Sequence, residues 1–509
     1  MSKNFASTIA GASILITGIG LVSKGFGFLR EIIYANNFGL QTNFDIYLIG
    51  AVLPITINTS VFYLAQNYFI PIYNKKLFQG KDHASKFLSE SFWLFLILSF
   101  FLSLLLFVFS SPLIRLYLTS PSQSIYTTAL TIFQIFLFTV PINACYSILS
   151  SYFQAEYNFK VPAYSTLFQN ILIIVLVLLF TKSIGIFTIP IGYLLGTIAQ
   201  FIYLLFSMKG RNYLAPKIIF PKPIELSNVN KTLAIIIIVE FVNQLYNIID
   251  RYFYGSVDSG GLAALNYATV LYSLPISIIS FALSTALFPR ITHSFTEKDI
   301  SSSKSQYLSG LQVNILLFIP ITFVFIFFGE TIIRLFYQRG NYSSDDTVMT
   351  FQILKWYSLS LIFYSSYAII NKVVYGAGLV NGLLKISIGI FILKIIANYY
   401  LVELYKQNGL AFSTSISYIL LSISCYFLVA KNVNLKIGRK LINGAIFYFV
   451  NAGLCYIVIV LVKNYLHTTS GIGEIILSGL FIVLYAINII IIKPSEFLIL
   501  KQVLVKYTS

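Results

Sequence analysis

The stretch SFWLFLILSFFLSLLLFVFSSPLI, residues 91–114, decides the fold class of this 509-residue chain. It carries no acidic or basic side chain, and about 20 apolar residues are enough for a helix to span the hydrocarbon core of a bilayer. The rest of the chain has the same character: 57% of its residues are hydrophobic and only 10% are charged. Soluble domains have about 25% charged residues, so a water-soluble protein is excluded.

Further runs of spanning length lie on both sides of this stretch. Eight are uncharged: 126–155, 161–181, 183–208, 259–289, 305–329, 410–430, 441–462 and 475–492. Five contain charge: 7–30, 46–73, 232–254, 347–371 and 384–402. The sequence therefore predicts an all-α polytopic membrane protein with about fourteen transmembrane helices. Lys24 and Arg30 stand where a cleaved signal would need small residues, so we expect the first helix to be retained.

The basic residues between the predicted helices indicate the orientation. With the N-terminus inside, the cytoplasmic segments hold 23 Lys and Arg and the opposite segments hold six. Because cations are retained on the cytoplasmic side, both termini are expected there. The net charge of +17 then reflects topology and contact with anionic lipids, and no nucleic-acid partner is expected.

An internal repeat divides the chain. An Arg-to-Pro spacing of 24 residues recurs at an offset of 221 that also aligns two glycines: Arg30 with Arg251, Pro54 with Pro275, and Gly39 with Gly260. Six helices separate the copies, which predicts two parallel bundles of the kind that transporters rock around a central site. The predicted regions are a six-helix bundle (1–208), a basic cytoplasmic linker (209–231), a second six-helix bundle (232–440), and an extra helix pair with a cytoplasmic tail (441–509).

Polar side chains inside a membrane are costly, and they mark candidate functional sites. The predicted seventh helix carries six with helical spacing on one face: Glu240, Asn243, Gln244, Asn247, Asp250 and Arg251. The opposite face is suited to lipid or to packing. A structural alternative is that Asp250 and Arg251 only satisfy partners in a neighbouring bundle.

The first two helices carry the other candidates. Lys24 and Arg30 lie at the end of a glycine-rich helix whose small residues permit close helix approach or bending. Arg30 is equally compatible with a ligand role and with an ion pair to Glu31 or Asp45. Lys24 is the better ligand candidate, with snorkelling to the membrane surface as its alternative. The second helix begins at Asp45 and also carries Asn58.

Other features limit the chemistry. Lys355 and Lys394 lie in later helices and are expected to snorkel. Cations on two repeat-related helices favour an anionic substrate, and phosphate or diphosphate suits both the Arg fork and the compact Lys charge. The phosphate-cradling pattern G-x-x-x-x-G-K-S/T does not occur, so ATP is not expected as the energy source. Scattered histidines and cysteines within apolar runs indicate neither a metal site nor disulfides, and we expect no cofactor.

Three stretches resemble the MviN/MurJ lipid II flippase family, which lies within the superfamily of MATE drug exporters and polysaccharide flippases. They are SKGFGFLREIIYANNFG (23–39), NQLYNIIDRYFYGSVDSGGLAALNYATVLYSLP (243–275) and RLFYQRGNYSSDD (334–346). The resemblance implies a non-enzymatic flippase that moves an undecaprenyl-diphosphate-linked cell-wall or surface glycan precursor across the bacterial inner membrane by alternating access. It also implies a basic V-shaped cavity, with a groove for the lipid tail near the last two helices.

Four of the candidate residues match the family's motifs. Lys24, Arg30, Asp45 and Arg251 fall on motif positions of the family. We expect Lys24, Arg30 and Arg251 to attract the diphosphate, and Asn58, Gln244 and Asn247 to contact sugar or water. Asp45, Glu240 and Asp250 are candidates for ion pairs or for coupling to Na⁺, H⁺ or the membrane potential.

The chain departs from the family where the cargo would be recognised. Val270 and Ser273 stand in place of an arginine and an acid in the eighth helix, and the arginine expected after Pro54 is missing. An O-antigen or polysaccharide unit on a lipid diphosphate therefore fits about as well as lipid II.

Three other functions are kept as alternatives. A cation-coupled MATE-type exporter would need an acidic or aromatic cavity. A polytopic membrane enzyme would depend on outward-facing acids such as Asp345 or Asp346. A passive scaffold would depend only on its surface.

Overall fold

The computed structural model describes residues 9–118, 121–209, 215–219, 231–280, 282–283, 297, 299–465 and 471–492. This described part is helical and contains no β-strand. It divides into two compact units, Met1–Ala263 and Ala264–Ser509.

The helices follow one another in chain order. The first nine are α1 (Ile9–Phe38), α2 (Thr42–Phe78), α3 (Lys81–Val108), α4 (Ser110–Arg115), α5 (Gln123–Leu137), α6 (Thr139–Ala155), α7 (Lys160–Ile184), α8 (Thr188–Met208) and α9 (Lys231–Tyr252). The rest are α10 (Gly261–Pro275, continued by a π turn at Ile276–Ser280), α11 (Ile300–Phe336), α12 (Ser344–Ser358), α13 (Leu361–Gly376), α14 (Val380–Val433), α15 (Arg439–Tyr465) and α16 (Gly471–Ile492).

The helices agree with the predicted membrane spans. Among the described residues, nine helical runs are long and apolar enough to cross a membrane, and α12 with α13, bent by 48°, forms a tenth candidate. The run 160–208 holds α7 and α8, and the run 380–433 is α14, which turns back at Lys406, so each of these two runs supplies two predicted spans. The run 123–155 holds α5 and α6 but corresponds to one predicted span, and α1 and α9 complete the set. The result is fourteen helical segments at the fourteen predicted positions.

Aromatic side chains build the core of the first unit. The ring of Phe69 in α2 stacks on Tyr73 at 5.2 Å and on Phe87 of α3 at 5.4 Å. Tyr73 also meets Tyr152 of α6 edge-on at 5.4 Å, and its hydroxyl donates to Glu156 at 2.7 Å. Because an aromatic ring buries a large area with few rotatable bonds, this cluster holds α2, α3 and α6 in fixed positions.

The first unit includes α9. This helix packs on α2, and its buried face is apolar with helical spacing, comprising Ile235, Val239, Val242 and Tyr246. The compact unit therefore extends past the predicted linker at 209–231. Of that linker, residues 215–219 are described, and Lys217 is held by α3: its amide donates to Ser89 Oγ, and its carbonyl accepts from Trp93 Nε1, both at 2.9 Å. The division into two six-helix bundles remains a prediction from the internal repeat.

The long helix α14 is an antiparallel hairpin. Its backbone turns at Lys406, where φ is +51°. The two arms then approach so closely that a Cβ at Gly409 would collide with the carbonyl oxygen of Leu401. Only glycine fits there without strain, so the sequence YKQNG encodes a turn inside what would otherwise be one continuous helix.

The last two helices are attached to α11 by polar contacts at one end. Glu474, in the first turn of α16, accepts from Thr331 Oγ1 at 2.8 Å and from Lys463 Nζ at 2.9 Å, and Arg334 lies 3.9 Å away. Further along, the hydroxyl of Tyr485 donates to the carbonyl of Leu316 at 3.0 Å. The predicted extra pair is therefore an integral part of the second unit.

Candidate substrate site and loop interlock

Helix α1 contacts α7 through polar side chains, and its last turns pack on α2 through Tyr34 and Phe38. The hydroxyls of Ser23 and Thr166 are 2.8 Å apart, and Arg30 Nη1 donates to Asn170 Oδ1 at 3.1 Å. A Cβ added at any of four glycines of α1 would meet no described atom within 4 Å: Gly18, Gly20, Gly25 and Gly27. Of the two roles that the sequence left open for these glycines, close helix approach is therefore not seen at these positions, and bending stays a prediction. The glycines instead leave open space beside the helix that carries Lys24 and Arg30.

Arg30 is held in one orientation by its neighbours. Its Nη2 and Nε donate to Glu31 Oε1 at 2.6 and 3.2 Å, and its guanidinium lies 5.5 Å from the ring centre of Tyr34. The ion pair with Glu31 is thus confirmed, and Asp45 has other partners. With the bond to Asn170, three of the five guanidinium N–H groups are engaged by described residues. Two N–H groups remain, and 26% of the side chain is exposed.

The other two predicted cations lie in the same compact unit. Lys24 is partly buried, a turn and a half before Arg30 on α1, and Arg251 is partly buried in the last turn of α9. Arg251 acts electrostatically on the carboxylate of Asp45. Asp250 beside it is 8% exposed and continues the buried face of α9.

The polar stripe of α9 is only partly described. Glu240 and Gln244 are both partly buried, so their side chains retain some accessible surface. The side chain of Asn247 lies outside the described residues.

Asn58 lies inside the first unit. It is 3% exposed, and its Nδ2 donates to Thr139 Oγ1 at 2.8 Å while its carbonyl accepts from Asn143 at 3.0 Å. These contacts join α2 to the start of α6. They favour a packing role for Asn58, and its predicted contact with sugar or water stays a prediction.

Asp45 connects two loops that are far apart in the sequence. Its carboxylate is fully buried and accepts from the backbone amides of Gly260 and Ala263, both at 2.7 Å. These amides lie at the start of α10, where a helix has free N–H groups and a partial positive charge. Beside them, the hydroxyls of Thr42 and Ser259 are 2.8 Å apart. We call these contacts between 39–45 and 259–263 the loop interlock.

The loop interlock also agrees with the repeat. Gly39 and Gly260 were aligned by the offset of 221 residues, and both have a positive φ, +53° and +78°. A Cβ at Gly260 would collide with the carbonyl oxygen of Leu40, so this position requires glycine for space as well as for conformation. The sequence analysis identified both Asp45 and Gly260, but it did not predict that they are in contact.

Lys394 was assigned wrongly from the sequence. It was expected to snorkel, yet it is fully buried in the second unit, where its Nζ donates to Thr414 Oγ1 at 2.7 Å across the α14 hairpin. One turn further, Ser413 donates to the side-chain oxygen of Asn398. The spacing of Lys394 and Asn398 on one arm, facing Ser413 and Thr414 on the other, was the available signal. This pairing can be recognised in the sequence only when the turn at Lys406 is known.

No metal centre is formed by the residues that the structure describes: no group of three or more His, Cys, Asp or Glu side chains among them is arranged to hold an ion. The three cysteines, Cys145, Cys425 and Cys455, are free and buried.

The family model and the curated relatives agree on one family. Residues 34–481 match the family model described as lipid II flippase MurJ. A probable lipid II flippase MurJ of Buchnera aphidicola subsp. Acyrthosiphon pisum (strain APS) is 27% identical over 480 residues, which covers 91% of this chain and 92% of the relative.

Solved structures share the fold. A lipid II flippase MurJ in an inward closed conformation matches with a TM-score of 0.81 at 23% identity, over 94% of this chain and 99% of that one. An inward-facing MATE family multidrug transporter matches with a TM-score of 0.71 at 12% identity, over 81% and 94%. At such low identities the likeness concerns the fold alone, whereas the family model covers most of the sequence. This multi-pass membrane protein therefore belongs to the lipid II flippase MurJ family.

Proposed function

We propose that this protein is a flippase that carries a polyprenyl-diphosphate-linked glycan across the bacterial inner membrane by alternating access. Membership of the family over residues 34–481 supports this, and lipid II, the substrate in the family's name, is the first candidate cargo. Under this proposal both termini are cytoplasmic, ATP and nucleic acid are not partners, and no bond of the cargo is made or broken. The protein would thus supply precursor for cell-wall or surface-glycan synthesis.

The geometry of Arg30 is the observation that carries the proposal. Glu31 balances the charge of the guanidinium in the absence of cargo, while Glu31 and Asn170 together fix its plane. Two N–H groups remain for further acceptors, and a diphosphate supplies several oxygens that can accept from an Arg fork. Open space beside α1 gives a large head group room to approach. Lys24 and Arg251 would add positive charge on the same compact unit.

The loop interlock offers a physical basis for alternating access. We propose that the contacts of Asp45 with Gly260 and Ala263 close the route of the head group on the side where α1 is joined to α2. Two buried charge-assisted hydrogen bonds resist that opening, so cargo binding or an ion must compensate for their loss. Glu240 and Asp250 are our candidates for such coupling to Na⁺, H⁺ or the membrane potential.

The identity of the glycan is a finer part of the proposal. Val270 and Ser273 put neutral side chains on α10 where the family resemblance implies charge, and Ser273 is exposed. A neutral, hydroxyl-bearing surface suits sugar contacts of several kinds. We therefore keep an O-antigen or polysaccharide unit on a lipid diphosphate as the second candidate cargo.

Rescue of a flippase-depleted bacterium tests the proposal. The native lipid II flippase of a host is depleted, and growth is scored with the wild-type chain, with Arg30→Ala and with Arg251→Ala, at equal membrane expression. We expect the wild type to rescue and both variants to fail. Arg439→Ala is the matched control, because Arg439 is exposed in the first turn of α15, and it should rescue fully. Full rescue by both site variants would contradict the cationic site.

A binding measurement separates the flippase from a MATE-type exporter. The purified protein is heated with a soluble polyprenyl-diphosphate analogue or with organic cations, and its apparent melting temperature is compared. A ligand that binds the folded state raises this temperature. Stabilisation by the diphosphate alone, lost in Arg30→Ala, supports the proposal, and stabilisation by organic cations alone supports the exporter.

A further inference from the structure

A cavity of about 290 Å³ lies in the second unit, whereas the predicted substrate residues belong to the first. It is lined by α11, α12 and the turn of α14, through Ile326, Gln352, Lys355, Trp356, Leu359 and Asn408. The walls are mostly apolar, and the polar atoms come from Gln352, Lys355 and Asn408. No function considered above uses these residues.

The bend between α12 and α13 maintains this cavity. The two helices meet at 48° around Leu359 and Ser360. Below the bend, Ser415 Oγ of α14 donates to the carbonyl of Trp356 at 2.6 Å, and the Trp356 ring packs on Phe412 at 4.5 Å. Because both the backbone and the ring of Trp356 are held, the indole forms a fixed wall.

Lys355 supplies a cation at the mouth of the cavity. It is exposed, and its ammonium lies 4.2 Å from the ring centre of Phe351, one turn nearer to the start of α12. No salt bridge of Lys355 occurs in the part of the chain that the structure describes. The ammonium is therefore available to an anionic ligand, and the predicted snorkelling of Lys355 stays a prediction.

Asn408 supplies a hydrogen-bond acceptor. Its Nδ2 donates to Gln352 Oε1 at 3.3 Å, which orients the amide. Its Oδ1 is buried and has no hydrogen-bond partner among the described residues. A buried amide oxygen is unfavourable without a donor, so the site is complementary to a ligand that brings an N–H group.

These features together describe a lipid head group. We propose that the cavity binds an aminophospholipid, with the phosphate at Lys355, the primary ammonium at Asn408 Oδ1, and the first acyl carbons against Ile326, Trp356 and Leu359. Phosphatidylethanolamine carries all three parts. Phosphatidylcholine carries the same phosphate, but its methylated nitrogen has no N–H to donate, so the two lipids form a matched pair.

Tryptophan fluorescence can test the site directly, because Trp93 and Trp356 are the only two tryptophans of the chain. In Trp93→Phe, Trp356 is the only emitter. The protein is placed in phosphatidylcholine nanodiscs containing a small fraction of phosphatidylethanolamine or phosphatidylcholine with brominated acyl chains, which quench a tryptophan on contact. We expect brominated phosphatidylethanolamine to quench Trp356 at a several-fold lower fraction than brominated phosphatidylcholine.

Three variants assign the parts of the site. Asn408→Ala should remove the difference between the two lipids, and Lys355→Gln should weaken quenching by both. Lys385→Gln is the control, because Lys385 is an exposed lysine near the start of α14, and it should change nothing. Equal quenching by both lipids in the parent protein, or unchanged quenching in Lys355→Gln, would overturn the proposal. The readout is lipid contact, so it is independent of whether the protein transports a glycan.

Discussion

Asp45 and Lys394 are both fully buried ionisable residues, one in each compact unit, yet they are held in different ways. Asp45 binds two backbone amides more than 200 positions away in the chain. Lys394 binds the hydroxyl of Thr414, 20 positions away, across a single hairpin. The first joins two repeat-related loops, and the second joins two arms of one folding unit.

The difference indicates which buried charge can take part in motion. Every residue except proline keeps its backbone N–H, so the two amides stay in place and need another acceptor whenever Asp45 moves away. The loop interlock is therefore a strong contact that a conformational change can make or break as a whole. The Lys394 contact moves together with the hairpin that carries it. We expect the first to control opening and the second to contribute only to stability.

Asp45→Ala should have the largest effect. It leaves two buried amides without an acceptor, at about 1–3 kcal/mol each, so we expect a loss of about 2–6 kcal/mol and failure to rescue the depleted host. A thiol-reactive fluorogenic dye measures the apparent melting temperature, because the three free cysteines are buried and react only on unfolding. An unchanged melting temperature would show that the interlock does not stabilise this state.

Gly260→Ala disrupts the loop interlock at a residue whose amide donates to Asp45. A positive φ and a collision with the Leu40 carbonyl should cost about 2–5 kcal/mol, because both strain and overpacking oppose the new methyl group. Gly389→Ala is the control, since a Cβ there meets nothing within 4 Å. We expect Gly389→Ala to be neutral or stabilising in the same melting assay, and a reversed order would contradict the described loop.

Lys394→Met tests the contact between Lys394 and Thr414. Methionine keeps the volume and loses the bond to Thr414, so we expect a loss of about 0.6–2 kcal/mol, the range measured for hydrogen bonds inside membranes. Rescue should persist. If Lys394→Met abolishes rescue while its melting temperature is near that of the wild type, Lys394 takes part in transport, and the distinction from Asp45 is lost.

Asp346→Ala should have the smallest effect. Asp346 also caps a helix, since it accepts from the amide of Ser343 at 3.0 Å, but it does so at the partly exposed start of α12. Losing an exposed cap costs about 0.5–2 kcal/mol, and rescue should be unchanged. Loss of rescue in Asp346→Ala or Asp345→Asn at normal expression would instead favour the membrane-enzyme alternative.

The sequence predicted the local features well, because they depend on short segments. The apolar runs placed the fourteen helical segments, and the charge pattern found Arg30 with its neighbour Glu31. The internal repeat aligned Gly39 with Gly260, and both glycines have a positive φ. The error concerned a contact between helices: Lys394 was expected to reach a membrane surface, and it is fully buried against Thr414.

The sequence by itself determined that this chain is a membrane protein, how many helical segments it forms, and which family it resembles. Hydropathy and motifs are properties of consecutive residues, so they can be recognised without the structure. Only the tertiary structure decided that Asp45 caps a helix beginning more than 200 residues later, that Asn58 is buried against Thr139, and that α9 packs on α2. Apolar helices can pack on one another in many arrangements at similar cost. The arrangement that forms is the one in which the polar groups find partners. These pairings cannot be predicted from the separation of the residues in the sequence.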